Sequence, residues 1–518
     1  MKDIIIGIDA GTSVIKSVAF SLDGEQLAEC STPNTYATLG GGGVEQDLPL
    51  TWKKTIETLA GLVDKLPELT SRCAAISVTG QGDGTWLVDK HGEPVGGGLL
   101  WLDSRAGDLV DKWRASQHER RRFEITGTGF AACQQASQLL WMKTHSPERI
   151  AQAHTAFHCK DWLYFQLTGQ RVTDTSEGCF TFGDYRTRQY SSELLDLLDL
   201  NDCESLLPPM LNGMEENHPL NENAAALTGL LSGTPVVMGF LDVICTGLGA
   251  GLYDKHSSTG CTIVGSTGIH MRLVHSADAV SLNEHCTGFT IALPMADTFA
   301  QVQSNMSCTL NIDWLLDVAV DLLQSHGVKK SRSDLLASVD EWVAQSTRRG
   351  ELLYQPYISD AGERGPFIDV SARAGFVGLN SQHRFGDMMS AVVDGLALAA
   401  RDCYTAMGGT PAEIRLTGGA ARSQSLRQVF ANTLGAKLRT CAREEAGAAG
   451  AAMMAAVGIG HYADMDDCVK TWVTPHLSEL EDFDVAEKQH MDVVFSNYVS
   501  TRTALSDLWK SQSRLRHL

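Results

Sequence analysis

The sequence lacks any apolar run long enough to cross a bilayer. An apolar run begins within four residues of Met1, and nothing there resembles a signal peptide. Low-complexity segments, short-period repeats and Cys-x-x-Cys pairs are also missing, and the 13 cysteines follow no regular spacing. Such scattered cysteines are typical of reduced thiols rather than of disulfides or a zinc site. We therefore expect a soluble protein located in the cytoplasm.

Positive charge is scarce, with 42 Lys and Arg against 62 Asp and Glu, which gives a formal net charge of −20. Nucleic acids and anionic membranes both favour a basic surface, so we expect neither as a partner. The composition, with 43% hydrophobic and 20% charged residues, is that of an ordinary globular protein. A length of 518 residues exceeds what one core usually serves and predicts two large domains. The sequence leaves a homodimer open.

Residues 4–20 predict two β-strands joined by a tight turn, because an apolar run ends in Asp9 and a β-favouring pattern resumes after Ser13. Gly11 lets the backbone approach a ligand closely, and amide groups in such a turn can converge on an anion. Thr12 and Ser13 add neutral donors. Asp9 would repel a bare phosphate, which suggests Mg²⁺ between the two. The alternative is a hairpin whose Asp and Gly only form the turn.

Polar clusters also follow apolar runs at residues 80–86 and 101–105, the second of which is the third such cluster in the chain, and residues 172–178 form another polar turn of the ligand-binding type. In α/β folds, polar loops after the carboxyl ends of strands commonly bind ligands. Each cluster could equally be a loop with incidental charge. Three of them in one chain favour the ligand interpretation.

Asp242 is the only charged residue in the apolar segment 234–251. An ionised carboxylate in apolar surroundings costs several kcal/mol unless a partner compensates. Asp is common at helix N-caps, so the residue alone favours a cap on a helix that begins at Val243. A general base facing a cleft is the other interpretation, and the two are compatible.

The pattern of the first hairpin recurs at residues 261–270, where Gly265, Ser266 and Thr267 form the turn. This recurrence predicts two related domains that face a shared cleft. Gly418 and Gly419 lie between a strand and a helix and fit close approach of a base, ribose or phosphate, or else an ordinary turn. The small residues of 446–452 must pack against another backbone, and helices are expected at 49–66, 388–407 and from Val485 onward.

In this order the features resemble the FGGY carbohydrate kinases, which share the actin-like ATPase fold. The resemblance covers essentially the whole chain and rests on the following residues: Asp9 to Thr12; Trp101, Asp103 and Arg105; Lys160 to Leu163; Asp242 with Leu248 to Gly251; Gly362, Glu363, Arg364 and Pro366; Ala372 and Arg373; Thr417 to Gly419; and Glu445 to Ala452. It implies an α/β fold of two actin-like (ribonuclease H-like) domains with an interdomain cleft. Residues 1–247 would bind sugar and phosphate, and residues 248–518 would bind the nucleotide and carry a helical tail.

The resemblance also implies roles for individual residues. Asp9 would hold Mg²⁺, and Asp242 would accept the proton of the attacking hydroxyl. The residues expected around ATP are Gly11, Thr12, Ser13, Lys16, Gly265, Ser266, Thr267, Gly418, Gly419 and Ser423. Those expected around the acceptor are Gln81, Asp83, Trp101, Asp103, Asp174 and Asp242.

Two departures from the family pattern bear on the substrate. Gly265-Ser266 replaces a common Gly-Thr but keeps a hydroxyl, and Gln81 lacks the Met-His neighbours usual in D-xylulose kinases. We expect an ATP- and Mg²⁺-dependent kinase of a small sugar or polyol, with erythritol as the first candidate and L-xylulose or another ketopentose as the alternative. A non-catalytic ATP-binding switch of the same fold would need neither Asp242 nor the polar loops. A glycoside hydrolase is disfavoured, because its mechanism does not require two turns that bind phosphate.

Overall fold

The structure is a computed structural model that describes residues 2–515 and is built on two six-stranded sheets. The first sheet contains β1 (Ile4–Ala10), β2 (Val14–Ser21), β3 (Gln26–Pro33), β4 (Cys73–Gly80), β5 (His218–Pro219) and β6 (Pro235–Met238). The second contains β7 (Thr259–Val264), β8 (Gly268–Val274), β9 (Phe289–Ala292), β10 (Phe299–Asn305), β11 (Glu413–Thr417) and β12 (Lys437–Thr440). The shorter strands are Ala37–Thr38, Val44–Gln46, Trp86–Val88, Gly98–Leu99, Thr155–Phe157, Thr173–Asp174, Gly183–Asp184, Gln189–Tyr190, Met210–Leu211, Leu353–Gln355 and Gly375–Val377.

The two sheets repeat one topology. The strand order is β5-β6-β4-β1-β2-β3 in the first sheet and β9-β10-β8-β7-β11-β12 in the second. In each, an antiparallel hairpin (β1–β2 or β7–β8) is extended on one side by parallel strands (β4 and β6, or β11 and β12). This repeat confirms the predicted α/β fold of two related domains and both predicted hairpins.

The helices cover the sheets. Those used below are α1 (Leu48–Lys65), α2 (Cys159–Thr168), α3 (Thr175–Phe182), α4 (Asp242–Gly249), α5 (Leu310–Ser325), α6 (Phe385–Ala406), α7 (Gln424–Leu434), α8 (Ala446–Gly458) and α9 (Val485–Leu515). The others are Leu69–Arg72, Gly107–Arg114, Glu119–Thr126, Gln135–His145, Pro147–Gln152, Ser192–Leu198, Glu222–Thr228, Arg332–Leu336, Val339–Gln345 and Met465–Trp472, with short 3-10 turns at Gly40–Gly42, Asn201–Leu206, Ala277–Ala279, Gly419–Arg422 and Thr474–His476. Helices α1, α6 and α9 confirm the three predicted helices. Among residues 2–515, no helix combines the length and the apolar character needed to cross a membrane.

Helix α8 packs at backbone distance on the first sheet and on α4, as its small residues predict. A Cβ added at Gly450 would lie 1.9 Å from the Cys245 carbonyl oxygen, and one added at Gly7 in β1 would lie 2.2 Å from the Ala448 carbonyl oxygen. Only glycine permits such approaches. The chain therefore returns to the first sheet after completing the second. The domain boundary expected after residue 247 lies inside α4 and stays a prediction.

Candidate active site

Asp9 stands near the end of β1 and faces the start of α8. It is half-buried, and no group within residues 2–515 donates a hydrogen bond to its carboxylate. A Cβ at Gly447 would lie 2.5 Å from Asp9 Oδ2, so glycine there leaves room for the carboxylate. Burial raises the pKa of Asp9 to about 6, the Glu445 charge adds to the rise, and Lys16 opposes it. An unpartnered carboxylate of this kind fits a hard divalent cation.

Lys16, which was expected near the nucleotide, is paired with Glu445. Its Nζ lies 2.7 Å from Glu445 Oε1 and 2.9 Å from Oε2. The pair joins the first hairpin to the segment that leads into α8. Sequence reasoning gave Glu445 no role of its own, because the two residues are brought together only by the fold.

The Thr12 hydroxyl connects the first hairpin turn to two predicted acceptor residues. It donates to Gln81 Oε1 and accepts from the indole nitrogen of Trp101, both at 2.8 Å. Gln81 Nε2 in turn donates to Gln46 Oε1 at 2.7 Å. The chain of hydrogen bonds holds the Trp101 ring, 37% exposed, beside the turn as an apolar wall.

Asp242 is the first residue of α4. The helix begins one residue earlier than the cap interpretation requires, and the residue at the cap position is Leu241. The cap interpretation is therefore wrong. Segment 240–242 is held from both sides, since Leu241 N donates to Ser176 Oγ at 3.0 Å and Thr79 donates to the Phe240 carbonyl. Burial raises the pKa of Asp242 to about 7, and the nearby charges of Asp9 and Asp83 raise it as well.

Asp83 occupies the loop after β4 with a left-handed backbone (φ 59°), which is uncommon outside glycine. Its Oδ2 accepts a hydrogen bond from Cys133 Sγ at 3.3 Å, whereas Oδ1 is buried without a partner. Burial raises the pKa of Asp83 to about 6. Cys133 was missed by sequence reasoning, because a single cysteine in a loop carries no signal.

Asp103 and Asp174 contact protein groups through both carboxylate oxygens. Asp103 accepts from Val44 N and from the Arg105 guanidinium at 2.9 Å each and is 2% exposed. Asp174 accepts from Ser176 N at 2.7 Å, which caps α3, and forms an ion pair with the fully buried Lys160. Protein groups thus satisfy both of these carboxylates, whereas Asp83 Oδ1 is buried without a partner.

The glycine turn after β11 borders a cavity of about 560 Å³, a size typical of small-molecule sites. Its lining includes Gly418, Gly419, Arg422 and Glu444. Gly418 has φ 96°, and a Cβ there would lie 2.5 Å from the Val264 carbonyl oxygen, so the turn needs glycine. Ser423, which was expected near the nucleotide, caps α7 through Leu426 N at 3.1 Å and donates to Asp340; its role at the nucleotide stays a prediction.

The second hairpin turn, at residues 265–267, docks on the start of α5. The carbonyl oxygens of Gly265 and Ser266 accept hydrogen bonds from Thr309 N at 3.0 Å and Cys308 N at 2.7 Å. Ser266 is exposed, as is Ser13 in the first turn, and Thr267 is half-buried. The two turns offer hydroxyls from two domains, as the paired pattern predicts.

Two matching sheets with paired hairpin turns, and carboxylate oxygens of Asp9 and Asp83 that have no hydrogen-bond partner among residues 2–515, are features of a phosphotransferase of the actin-like fold. Family models agree: the N-terminal domain of the FGGY family of carbohydrate kinases matches residues 4–249, and the C-terminal domain matches residues 260–459. The chain belongs to the FGGY family of carbohydrate kinases, which confirms the predicted family and the predicted kinase activity on a sugar or polyol. Kinases of this family use ATP as the phosphoryl donor, generally with Mg²⁺.

Several characterised proteins are similar to the chain along its whole length. The erythritol kinase of Brucella abortus (strain 2308) is 50% identical over 98% of this chain and 97% of the relative. The L-xylulose/3-keto-L-gulonate kinase of Escherichia coli (strain K12) is 24% identical over 92% of each. A crystal structure of xylulose kinase from Rhodospirillum rubrum superposes with a TM-score of 0.87 at 24% identity, covering 98% of this chain and 100% of the other. The crystal structure of Plasmodium falciparum glycerol kinase with ADP superposes with a TM-score of 0.82 at 16% identity, covering 96% of this chain and 98% of the other. These structural matches confirm the fold.

Proposed function

We propose that the protein transfers the γ-phosphoryl group of ATP to a hydroxyl of a small open-chain polyol, with erythritol as the first candidate. The observation that carries this proposal is the 50% identity to an erythritol kinase over 98% of the chain. The sequence identity to the L-xylulose/3-keto-L-gulonate kinase is about half of that, at 24%. This match keeps a ketopentose as the second candidate.

Asp242 is the proposed base. The acceptor oxygen forms a bond to the γ-phosphorus, the bond between that phosphorus and the β,γ-bridging oxygen of ATP breaks, and the hydroxyl proton passes to the Asp242 carboxylate. In a loose phosphoryl-transfer transition state the protein acts mainly by positioning. Hydrogen bonds at Leu241 and Phe240 fix the start of α4 and hold the carboxylate in place.

The hairpin turns and the glycine turn supply the proposed nucleotide site. Ser13 would donate to the terminal phosphates from the first domain, and Ser266 and Thr267 would donate from the second. The cavity beside Gly418 and Gly419 would take the base and ribose. Asp9 would hold Mg²⁺, because its carboxylate is unpartnered and Gly447 leaves space beside it. When bound, Mg²⁺ neutralises charge on the phosphate oxygens.

The pKa of Asp242 predicts how the rate depends on pH. The carboxylate accepts a proton only when ionised, and its pKa is raised to about 7. We therefore expect kcat/KM to rise with pH and to level off above about pH 7. Initial rates at saturating ATP across the neutral range will measure this. A flat profile below pH 7 would show that Asp242 is not the titrating base.

Substrate length gives the test of the proposed function. Buried groups that bind a hydroxyl are left unpaired by a shorter substrate, and such sites discriminate by as much as ~10⁴-fold. We expect kcat/KM to be highest for erythritol among erythritol, glycerol, L-xylulose and D-xylulose, and low for glycerol. A kcat/KM for glycerol equal to that for erythritol would contradict recognition of the additional hydroxyl. Activity on a ketose alone would retain the kinase and reject erythritol.

A further inference from the structure

The segment Gly362 to Pro366 belongs to the family pattern, yet the proposed function gives it no task. Its backbone is held firmly: Glu363 Oε1 accepts hydrogen bonds from Met306 N at 2.9 Å and Arg364 N at 2.8 Å. Asn305 Nδ2 donates to the Gly365 carbonyl at 2.8 Å. The Arg364 side chain therefore starts from a fixed point on the second domain.

The Arg364 guanidinium uses little of its donor capacity on the protein. Within residues 2–515 its one hydrogen bond runs from Nε to Ser304 Oγ at 3.1 Å, although an arginine carries five N–H donors. Arg364 lines a small cavity of about 50 Å³ together with Gly129, Phe130 and Ala131 of the first domain. Arg364 therefore lies at the domain boundary, and its guanidinium has N–H donors to spare.

Segment 129–133 connects this boundary to the acceptor loop. Gly129 N donates to the Gly288 carbonyl of the second domain at 2.7 Å. Four residues later, Cys133 Sγ donates to Asp83 Oδ2, and the Cys133 carbonyl accepts from Gly84 N at 2.9 Å. The positive charge of Arg364 lowers the pKa of Asp83, against the larger effect of burial. An unpartnered carboxylate oxygen of one domain thus lies in the field of an under-used guanidinium of the other.

Building on the proposed function, we propose that Asp83 and Arg364 together bind the acceptor hydroxyls remote from the reacting one. A hydroxyl can donate to the Asp83 carboxylate while its oxygen accepts from the Arg364 guanidinium, so a single diol satisfies both groups. The charge of Asp83 also contributes to the raised pKa of Asp242, so the two carboxylates can serve the same acceptor. Arg364 is then a specificity-determining residue for chain length.

The arrangement links acceptor binding to closure of the cleft. Asp83 belongs to the first domain and Arg364 to the second, so a polyol held by both draws the domains together. Closure excludes water from the reacting phosphate. In glycerol the remaining diol lies directly beside the reacting hydroxyl, so the shorter chain reaches less far toward Asp83 and Arg364 and gains less from Arg364.

The test is Arg364→Gln, assayed with erythritol and with glycerol. Loss of charge-assisted hydrogen bonds should raise KM for erythritol by about 10–100-fold. KM for ATP and Tm should not change, and KM for glycerol should change little. Arg364→Lys, which keeps the charge but loses the forked geometry, should fall between. A role confined to folding would instead lower Tm and act equally on both polyols.

Arg188→Gln is the matched control. Arg188 also crosses the domain boundary, but its terminal nitrogens are satisfied by the carbonyls of Leu293 at 3.0 Å and Thr298 at 3.1 Å. It should not raise KM for erythritol selectively. Combining Asp83→Asn with Arg364→Gln should give a KM increase well below the product of the single increases, because the two groups bind one hydroxyl set.

The wild-type enzyme, assayed on erythritol, glycerol, L-xylulose and D-xylulose, tests the proposed function separately. The Arg364→Gln comparison is then made on the best of these acceptors. If a ketose is best, the erythritol assignment fails while the comparison still decides the role of Arg364. The inference would be overturned by an unchanged KM of Arg364→Gln for the best acceptor or by an equal effect on glycerol. The same selective effect from Arg188→Gln, or no wild-type activity on any of the four acceptors, would also overturn it.

Discussion

Asp242→Asn should lower kcat by about 10²–10⁴-fold, the usual contribution of a general base. The substitution preserves the size and shape of the side chain but removes its ability to accept a proton. KM for ATP should hardly change, because Asp242 is proposed to act on the acceptor hydroxyl and not on the nucleotide. Steady-state kinetics with erythritol and with ATP will separate the two effects.

Stability provides an internal check on this variant. Burial raises the folded-state pKa of Asp242 from 3.8 to about 7, so its ionisation opposes folding as the pH rises through that interval. At neutral pH the neutral Asn should leave Tm unchanged or higher, and a loss of turnover would not reflect unfolding. Asp108→Asn is a suitable control, because Asp108 is an exposed acid in the first turn of another helix. Near-normal turnover in Asp242→Asn would show that Asp242 is not the general base.

Asp9→Ala should lower kcat/KM by about 10²–10³-fold and raise the Mg²⁺ concentration needed for half-maximal rate. A metal ion commonly supplies several kcal/mol of charge stabilisation, and each 1.36 kcal/mol is a factor of ten in rate. Asp9 is the unpartnered carboxylate at the first hairpin turn, where an unshielded charge would oppose phosphate. Titration of Mg²⁺ at fixed ATP will measure the shift.

Binding of erythritol in the absence of nucleotide distinguishes a loss of Mg²⁺ binding in Asp9→Ala from a general loss of folding. Erythritol alone should still raise the Tm of Asp9→Ala, because a ligand stabilises whatever native state it binds. Asp3→Ala is the control: Asp3 precedes the same strand but pairs with Arg72, 2.8 Å away, at the opposite end. Full activity with an unchanged Mg²⁺ titration would show that Asp9 only shapes the turn.

Local sequence pattern was sufficient for the two hairpins and the long helices. The alternation and turn residues around Gly11 and Gly265 are short-range signals, and both hairpins formed as expected. The small residues of α8 likewise required close backbone packing, which the contact of Gly450 with Cys245 provides. The order of these patterns along the chain was enough to predict the family.

Local pattern did not predict the partners of several side chains. Asp103 and Asp174 were expected at the acceptor, and the structure pairs them with Arg105 and Lys160. Ser423 is bound by Asp340, which lies 83 residues away.

What the sequence by itself determined is the fold and the class of chemistry, since periodicity and turn residues predict the paired hairpins and their order resembles the FGGY carbohydrate kinases, which implies the rest. Which carboxylates remain free for a ligand was decided only by the tertiary structure. A carboxylate satisfied by a buried cation and one left unpartnered look alike in sequence, and long-range packing alone separates Asp174 from Asp83. The same packing brings Arg364 to the domain boundary beside Gly129 and Phe130 of the first domain.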